Sequence, residues 1–205
     1  MKADCPEQPE VAWQAFVLHP FQAEASPAGP IASGPAGTAG PGAGLELTGQ
    51  IRRQAGTLEL GLRLVGDLAS IVLAAPSSRP ERRDDLWRST CFELFIAVAG
   101  EPAYREVNLS PSGDWNVYRF GGYREGMENE PSLQALPFDF KSLPGSIELA
   151  LAWPLPDDLR ATNARLEVGV CAVIEQRHGQ LSYWAVTHPG DEADFHRRDG
   201  VVLRL

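Results

Sequence analysis

Leu58, Leu60, Leu62 and Leu64 take every second position of residues 57–65, with Thr57, Glu59, Gly61 and Arg63 between them. Successive side chains of an extended chain point to opposite faces, so this alternation describes a strand with one side on a core and the other in water. Neighbours on a helix face recur at three and four, so leucines two apart do not form one helical stripe. The same grain runs through 11–18, 45–53, 70–74, 90–98, 104–110, 116–120, 146–153, 165–175, 181–187 and 201–205, short runs parted by Gly, Pro, Asn and Asp. Helical patterning is nearly absent. Some ten or eleven strands predict an all-β, antiparallel β-sandwich, a jelly-roll or immunoglobulin-like architecture of two packed sheets. Between 175 and 181, Gly179 sits where a hairpin bulge needs positive φ, so the flanking strands should form a hairpin.

A chain of 205 residues with this patterning predicts one domain spanning 1–205. Its interruption is the stretch 23–44, almost entirely Ala, Gly, Pro, Ser and Thr, which buries too little apolar surface to offset its ordering entropy and reads as a disordered insertion. The fragment 40–44 is glycine-rich, but no strand leads into it and no capped helix follows, as phosphate binding requires. A net charge of −9 repels phosphate backbones and anionic lipid, which argues against nucleic-acid and membrane partners. No secretory pattern follows Lys2 and no run of eighteen apolar residues occurs, so the expected location is cytoplasmic. Cys5, Cys91 and Cys171 have neither disulfide-framework nor zinc spacing, and the last two sit in apolar runs as small hydrophobes.

One strand breaks its own rule. In 90–98, Phe92, Leu94, Ile96 and Val98 share an apolar face, while the other carries Cys91, Glu93, Phe95 and Ala97. A carboxylate in that company must be paired, raised in pKa or lining a cavity, because burying it unpaired costs several kcal/mol. The next strand has Arg105, Val107 and Leu109 on one side and Tyr104, Glu106, Asn108 and Ser110 on the other. A short hairpin joining the two places Glu93 opposite Asn108 on a hydrogen-bonding floor. Around it the chain supplies Trp87, Trp115, Tyr118 and Tyr123 with Arg88, Asn116, Arg119 and Arg124 interleaved. Rings beside amide, carboxylate and guanidinium groups suit a polyhydroxylated ligand, which offers C–H faces and hydroxyl edges. The competing reading has both Trp rings in the core. The turn 110–114 favours a sheet-edge position for Trp115. The candidate ligand-binding set is therefore Trp87, Arg88, Glu93, Asn108, Ser110, Trp115 and Tyr118.

Asp85-Leu-Trp-Arg-Ser-Thr-Cys-Phe-Glu-Leu-Phe95 and Tyr104-Arg-Glu-Val-Asn-Leu-Ser-Pro-Ser-Gly113, with weaker pieces at 147–155 and 194–200, resemble the DOMON-like superfamily. Within it the chain is similar to the family-9 carbohydrate-binding modules. The resemblance covers most of 11–205 outside the insertion. It implies a jelly-roll-like sandwich and a small saccharide, or similar polar ligand, stacked on Trp rings, with Trp87, Arg88, Glu93, Asn108 and Trp115 in the matching positions. The superfamily's other branch implies haem b, for which Met127, His188 and His196 are the available axial ligands.

Other chemistries fit less well. Asp191, Glu192 and Asp194 would suit calcium and His188 and His196 zinc or copper, but their spacing matches no tight motif and reads as a solvated loop. Ser110 and Ser112 lack a nucleophile elbow. Glu93 and Glu106 imitate a glycosidase pair, but pairing with Arg88 or Arg105 accounts for them equally well. The sequence thus predicts a non-catalytic ligand-binding domain without a cofactor, or alternatively a protein-interaction module using an exposed sheet edge.

Overall fold

The structure, a computed structural model, describes residues 10–22, 42, 44–136, 138–161 and 164–205. Apart from positions 42 and 44, the low-complexity stretch 23–44 lies outside the described residues. Among those described, twelve strands form: β1 (Gln14–Pro20), β2 (Leu45–Gln54), β3 (Thr57–Gly66), β4 (Cys91–Val98), β5 (Tyr104–Leu109), β6 (Trp115–Phe120), β7 (Glu128–Asn129), β8 (Phe138–Leu143), β9 (Ser146–Pro154), β10 (Leu166–Glu175), β11 (Leu181–Ala185) and β12 (Leu203–Arg204). A one-turn helix, Asp157–Arg160, follows β9.

The pairing is antiparallel and runs without a break through β7-β6-β5-β4-β10-β11-β1-β2-β3-β9-β8, with β12 added against β10. β1 makes the ladder fold over. Gln14 to Leu18 pair with β2, whereas His19 and Pro20 lie opposite Ala185 and Trp184 of β11. One strand thereby belongs to two layers, β8-β9-β3-β2-β1 and β7-β6-β5-β4-β10-β11. The all-β, two-layer expectation holds.

Leu58, Leu60, Leu62 and Leu64 are all buried and share one core with Phe92, Leu94 and Ile96 of β4, Val107 and Leu109 of β5, and Val168, Val170, Ala172 and Ile174 of β10. The alternation that marked β3 is thus the period of a strand with one buried side. β4 differs, since every residue from Cys91 to Ala97 is buried. Its near-continuous apolar run is what two-sided burial demands. Phe95, Ala97, Tyr104, Tyr118, Phe120, Cys171, Ala185 and Val201 form a second cluster on the outward face of this layer, with Trp87 and Phe195 packed on it.

The β10–β11 hairpin forms as expected, with Gly179 at φ +84°. The run 70–74 does not become a strand, because only Ile71 bridges, to Gln176, beyond a 3-10 turn at Leu68–Ser70. β8 was not anticipated. Its Phe138 and Phe140 pack on the core while Asp139 and Lys141 alternate with them, but it is an edge strand paired only with β9. No helix among the described residues is long and apolar enough to cross a membrane.

Truncating the fully buried Leu94 on β4 removes atoms that the rigid core does not refill. Leu94→Ala should therefore lower the urea unfolding free energy by about 2–5 kcal/mol. Leu143→Ala, at 41% exposure on the edge strand, should change it by less than about 0.5 kcal/mol. Equal losses at the two sites would contradict the assignment of the core.

Candidate functional site

The register lays the outward side chains of the second layer in rows. Cys171, Glu93, Asn108 and Asn116 stand side by side across β10, β4, β5 and β6. The adjacent row is Gly169, Phe95, Glu106 and Tyr118, and beyond it Tyr104 pairs with Phe120, their rings stacked at 4.7 Å. Glu93 thus faces Asn108, as the hairpin register predicts. Glu106 is its diagonal neighbour.

Three segments outside the strands cover this face. A 3-10 turn, Leu86–Arg88, sets Trp87 edge-on to Tyr118 with ring centres 5.7 Å apart. The turn at 121–126, closed by Gly121 N–H to the Glu125 carbonyl, holds Arg124 at φ +55°. The segment 193–201 brings Phe195, His196 and Val201. It fits because Gly169 has no side chain, since a Cβ there would come within 3.3 Å of Val201.

The last two segments clasp each other. Arg124 Nη2 donates to Asp194 Oδ1 at 2.8 Å, and the Tyr123 hydroxyl donates to the same carboxylate. The Arg124 backbone N–H donates to the Tyr104 oxygen at 3.2 Å, and Tyr104 lies 2.7 Å from His196 Nδ1. The other ring nitrogen, Nε2, stands 3.7 Å from Glu106 Oε2.

The covers leave a cleft of about 510 Å³, within the range of about 300–1,000 Å³ usual for small-molecule sites. Glu93, Glu106, Phe95, Phe120 and Val173 form its floor; Trp87, Arg88, Arg124, Met127, Tyr183, Phe195 and His196 are among its walls. A wider groove of about 900 Å³ lies elsewhere, beside Val11 and Ala164.

Burial governs the electrostatics of the floor. It pushes the Glu93 carboxyl well above its ordinary value, the Glu106 charge pushes it further, and a hydrogen bond from Cys91 only partly opposes them. Glu106 is raised by burial and held back by Asn108 and Arg124. Burial also lifts the Cys91 and Cys171 thiols and lowers His196 to about 4, with the Arg124 charge adding to the latter shift. Glu93 is 3% exposed, and its Oε1 has no hydrogen-bond partner among the described residues.

Of the residues predicted to bind, Trp87, Arg88 and Glu93 line the cleft. Asn108, fully buried, lies beneath it: Nδ2 donates to Glu106 Oε1 at 2.8 Å and Oδ1 lies 3.5 Å from the Cys91 thiol, so it orients the floor. Tyr118 is buried behind Trp87, with its hydroxyl donated to Asp84 at 2.7 Å. Ser110 belongs to the turn after β5, where it accepts from the Ser112 hydroxyl at 2.9 Å and its N–H donates to the Asp114 carbonyl. Trp115 corrects the sequence reading. Opposite Leu109 and in phase with Val117, it points into the core at 5% exposure, with the Arg82 guanidinium 4.5 Å from its ring centre.

The expected partners of the carboxyls are also engaged elsewhere. Arg105, on the opposite side of β5, pairs with Glu130 and Asp158 at 2.8 Å, and Arg88 lies beside Asp85 at 3.3 Å. Met127 and His196 line the cleft, whereas His188 lies outside its lining and places Nε2 2.9 Å from the His19 carbonyl. No group of three or more His, Cys, Asp or Glu among the described residues is placed to hold a metal ion. The sequence reading missed Glu106, Phe120, Tyr183 and Phe195 as cleft residues. Alternation already set Glu106 beside Asn108, but nothing local announces that Phe195 comes back over β4.

No family model matches the chain, and no curated protein matches it. A solved structure from Bacteroides uniformis, of a protein proposed to bind carbohydrate, superposes with a TM-score of 0.51 at 12% identity, covering 77% of each chain. A family-9 carbohydrate-binding module from Caldicellulosiruptor kristjanssonii in complex with cellotriose gives 0.39 at 12% identity over 73% of this chain and 67% of that one. Its glucose complex gives 0.37 at 13% identity over 73% and 69%. The first of these is a likeness of fold.

The raised carboxyl on the floor has a signed consequence. Above pH 4.5 an unfolded Glu is deprotonated, while folded Glu93 keeps its proton until its higher value is reached. The native state binds more protons in that window, so stability falls as pH rises through it. Glu93→Gln lacks this loss. Its stability relative to the parent should climb from about pH 4.5 upward, by at most about 1.4 kcal/mol per pH unit. Urea melts at several pH values check this, and a difference that stays flat would contradict a buried, protonated Glu93.

Proposed function

We propose that the chain is a non-catalytic binding domain whose cleft takes a small saccharide. The observation that carries this is Glu93 Oε1, buried without a partner on a floor beneath the rings of Trp87, Tyr183 and Phe195. An unmet carboxyl oxygen in a concave, ring-lined site is the complement of a compact molecule with C–H faces and hydrogen-bonding groups at its edges. The fold itself decides little, since one sandwich hosts many functions. The side chains support binding rather than chemistry. Ser110 and Ser112 are tied into a turn with Asp114, both buried thiols are raised, and His196 is held by Tyr104.

A thermal-shift screen with neutral, N-acetylated and amino monosaccharides and their short oligomers tests the reading, because a ligand selective for the native state raises the melting temperature. With any sugar that binds, Trp87→Ala should weaken affinity by about 1–3 kcal/mol by calorimetry. Trp115→Phe, altering a core ring away from the cleft, should leave it within about 0.5 kcal/mol. Unchanged affinity in Trp87→Ala would reject the ring as a platform, and a blank screen would reject the saccharide.

A further inference from the structure

Among the described residues the two acids on the cleft floor have no cation in direct contact, and the Arg124 charge only partly offsets the burial of Glu106. Glu93 and Glu106, 3% and 4% exposed, are diagonal neighbours on paired strands. Among the described residues neither forms an ion pair with Lys or Arg. Glu106 accepts from Asn108 and lies 3.7 Å from Nε2 of His196, whose pKa burial lowers to about 4, and Glu93 keeps one oxygen with no donor among the described residues. The arginines at the rim are engaged, Arg124 by Asp194 at 2.8 Å and Arg88 beside Asp85, with the Arg88 side chain 74% exposed.

From this geometry we infer that the ligand is an amino sugar with a free amine, its ammonium group seated between Glu93 and Glu106 and its ring against Trp87, Tyr183 and Phe195. This inference rests on the saccharide reading. Ionised carboxylates only accept hydrogen bonds, and an ammonium brings three donors where a hydroxyl brings one. It also brings a positive charge into direct contact with the buried pair, which Arg124 supplies only to Glu106 and without contact, and the surrounding rings favour a cation over their faces.

In the free protein the burial of both acids, and the Glu106 charge beside Glu93, favour a proton on the pair. The groups facing them are Cys91 on β4, Tyr104 on β5, Tyr118 with Asp84 behind it on β6, Cys171 on β10, Arg124 from the turn after β6, Arg88 from the 3-10 turn, and Asp194 and His196 from the C-terminal segment. An arriving ammonium replaces that proton. One carboxyl O–H ionises, its proton passes to solvent, and the amine keeps its own three.

Calorimetry with D-glucosamine, D-glucose and N-acetyl-D-glucosamine, at about pH 6.5 where an ordinary amine is charged, separates the possibilities. Glucosamine should bind roughly tenfold or more tightly than the other two. Repeating the titration in buffers of different ionisation enthalpy should show release of about one proton. Glu93→Gln and Glu106→Gln, each first shown by its melting curve to be folded, should reduce the ratio of glucosamine to glucose affinity roughly tenfold. Equal or tighter binding of glucose or the N-acetyl sugar, or no proton release, overturns the inference. If glucose binds and glucosamine does not, the ammonium falls while the saccharide cleft stands; if none of the three binds, both fall.

Discussion

β4 has no side open to water. It is hydrogen-bonded to β5 and β10 along nearly its whole length, and the residues from Cys91 to Ala97 are buried whichever way they point. One direction is the inter-sheet core, closed by the leucines of β3 and β9. The other would be a bare sheet face but for the turn at 86–88, the turn at 121–126 and the segment 193–201. Those covers exist because Phe95, Ala97, Tyr104 and Phe120 present an apolar outer surface that must be removed from water. Loops seldom seal a flat face as closely as another sheet does. The gap they leave over Glu93 and Glu106 is the cleft.

The cover and the floor differ in how they are held. The floor is backbone ladder, in which each strand is fixed by neighbours on both sides. The cover depends on a few side-chain bonds, chiefly Tyr123 and Arg124 to Asp194 and Tyr104 to His196, and several of these groups are half exposed. Segments with few buried apolar contacts and exposed hydrogen bonds open at lower free energy than central strands. The two diagonally placed acids are thus fixed by the ladder, while Trp87 and Phe195 belong to the more readily opened cover. Phe195, seated between Phe95 and Tyr183, couples cover and floor.

Much of this was legible in the order of residues. Period two located most strands, and the lone Glu93 in an apolar face, with Asn108 across a short hairpin, pointed at the floor before any coordinates. The turn 110–114 misled the reading at Trp115: it favoured a sheet-edge place among the binding groups, but β6 starts with that residue and turns it inward with Val117. Ser110 shares the parity of Asn108 yet is diverted by the turn that follows. Segment 70–74 looked like a strand but has only one bridge. The cover was not legible, because Arg124 and Phe195 reach β4 from far along the chain and no periodic signal encodes that approach. The partnership imagined between Arg105 and the acids failed on parity, which the alternation of β5 already carried. Arg105 lies on the wrong side of its own strand.

What distinguishes Glu93 is the contrast with its row. Asn108 is fully buried and bonded to Glu106; Asn116, equally buried, donates to Asp84 and accepts from Arg82; Tyr118 donates to Asp84. These polar groups stabilise the layer, because each has its partners. The other unpartnered buried side-chain atoms among the described residues, on Gln54, Arg119, Trp153 and Gln176, belong to residues outside the cleft lining. Glu93 alone combines burial, a missing partner and a place on the floor. An apolar residue of its size would satisfy the sheet without the cost of desolvating an acid. A fold can carry such a residue against its own stability when a partner arrives from outside, which is the part assigned to the proposed ligand.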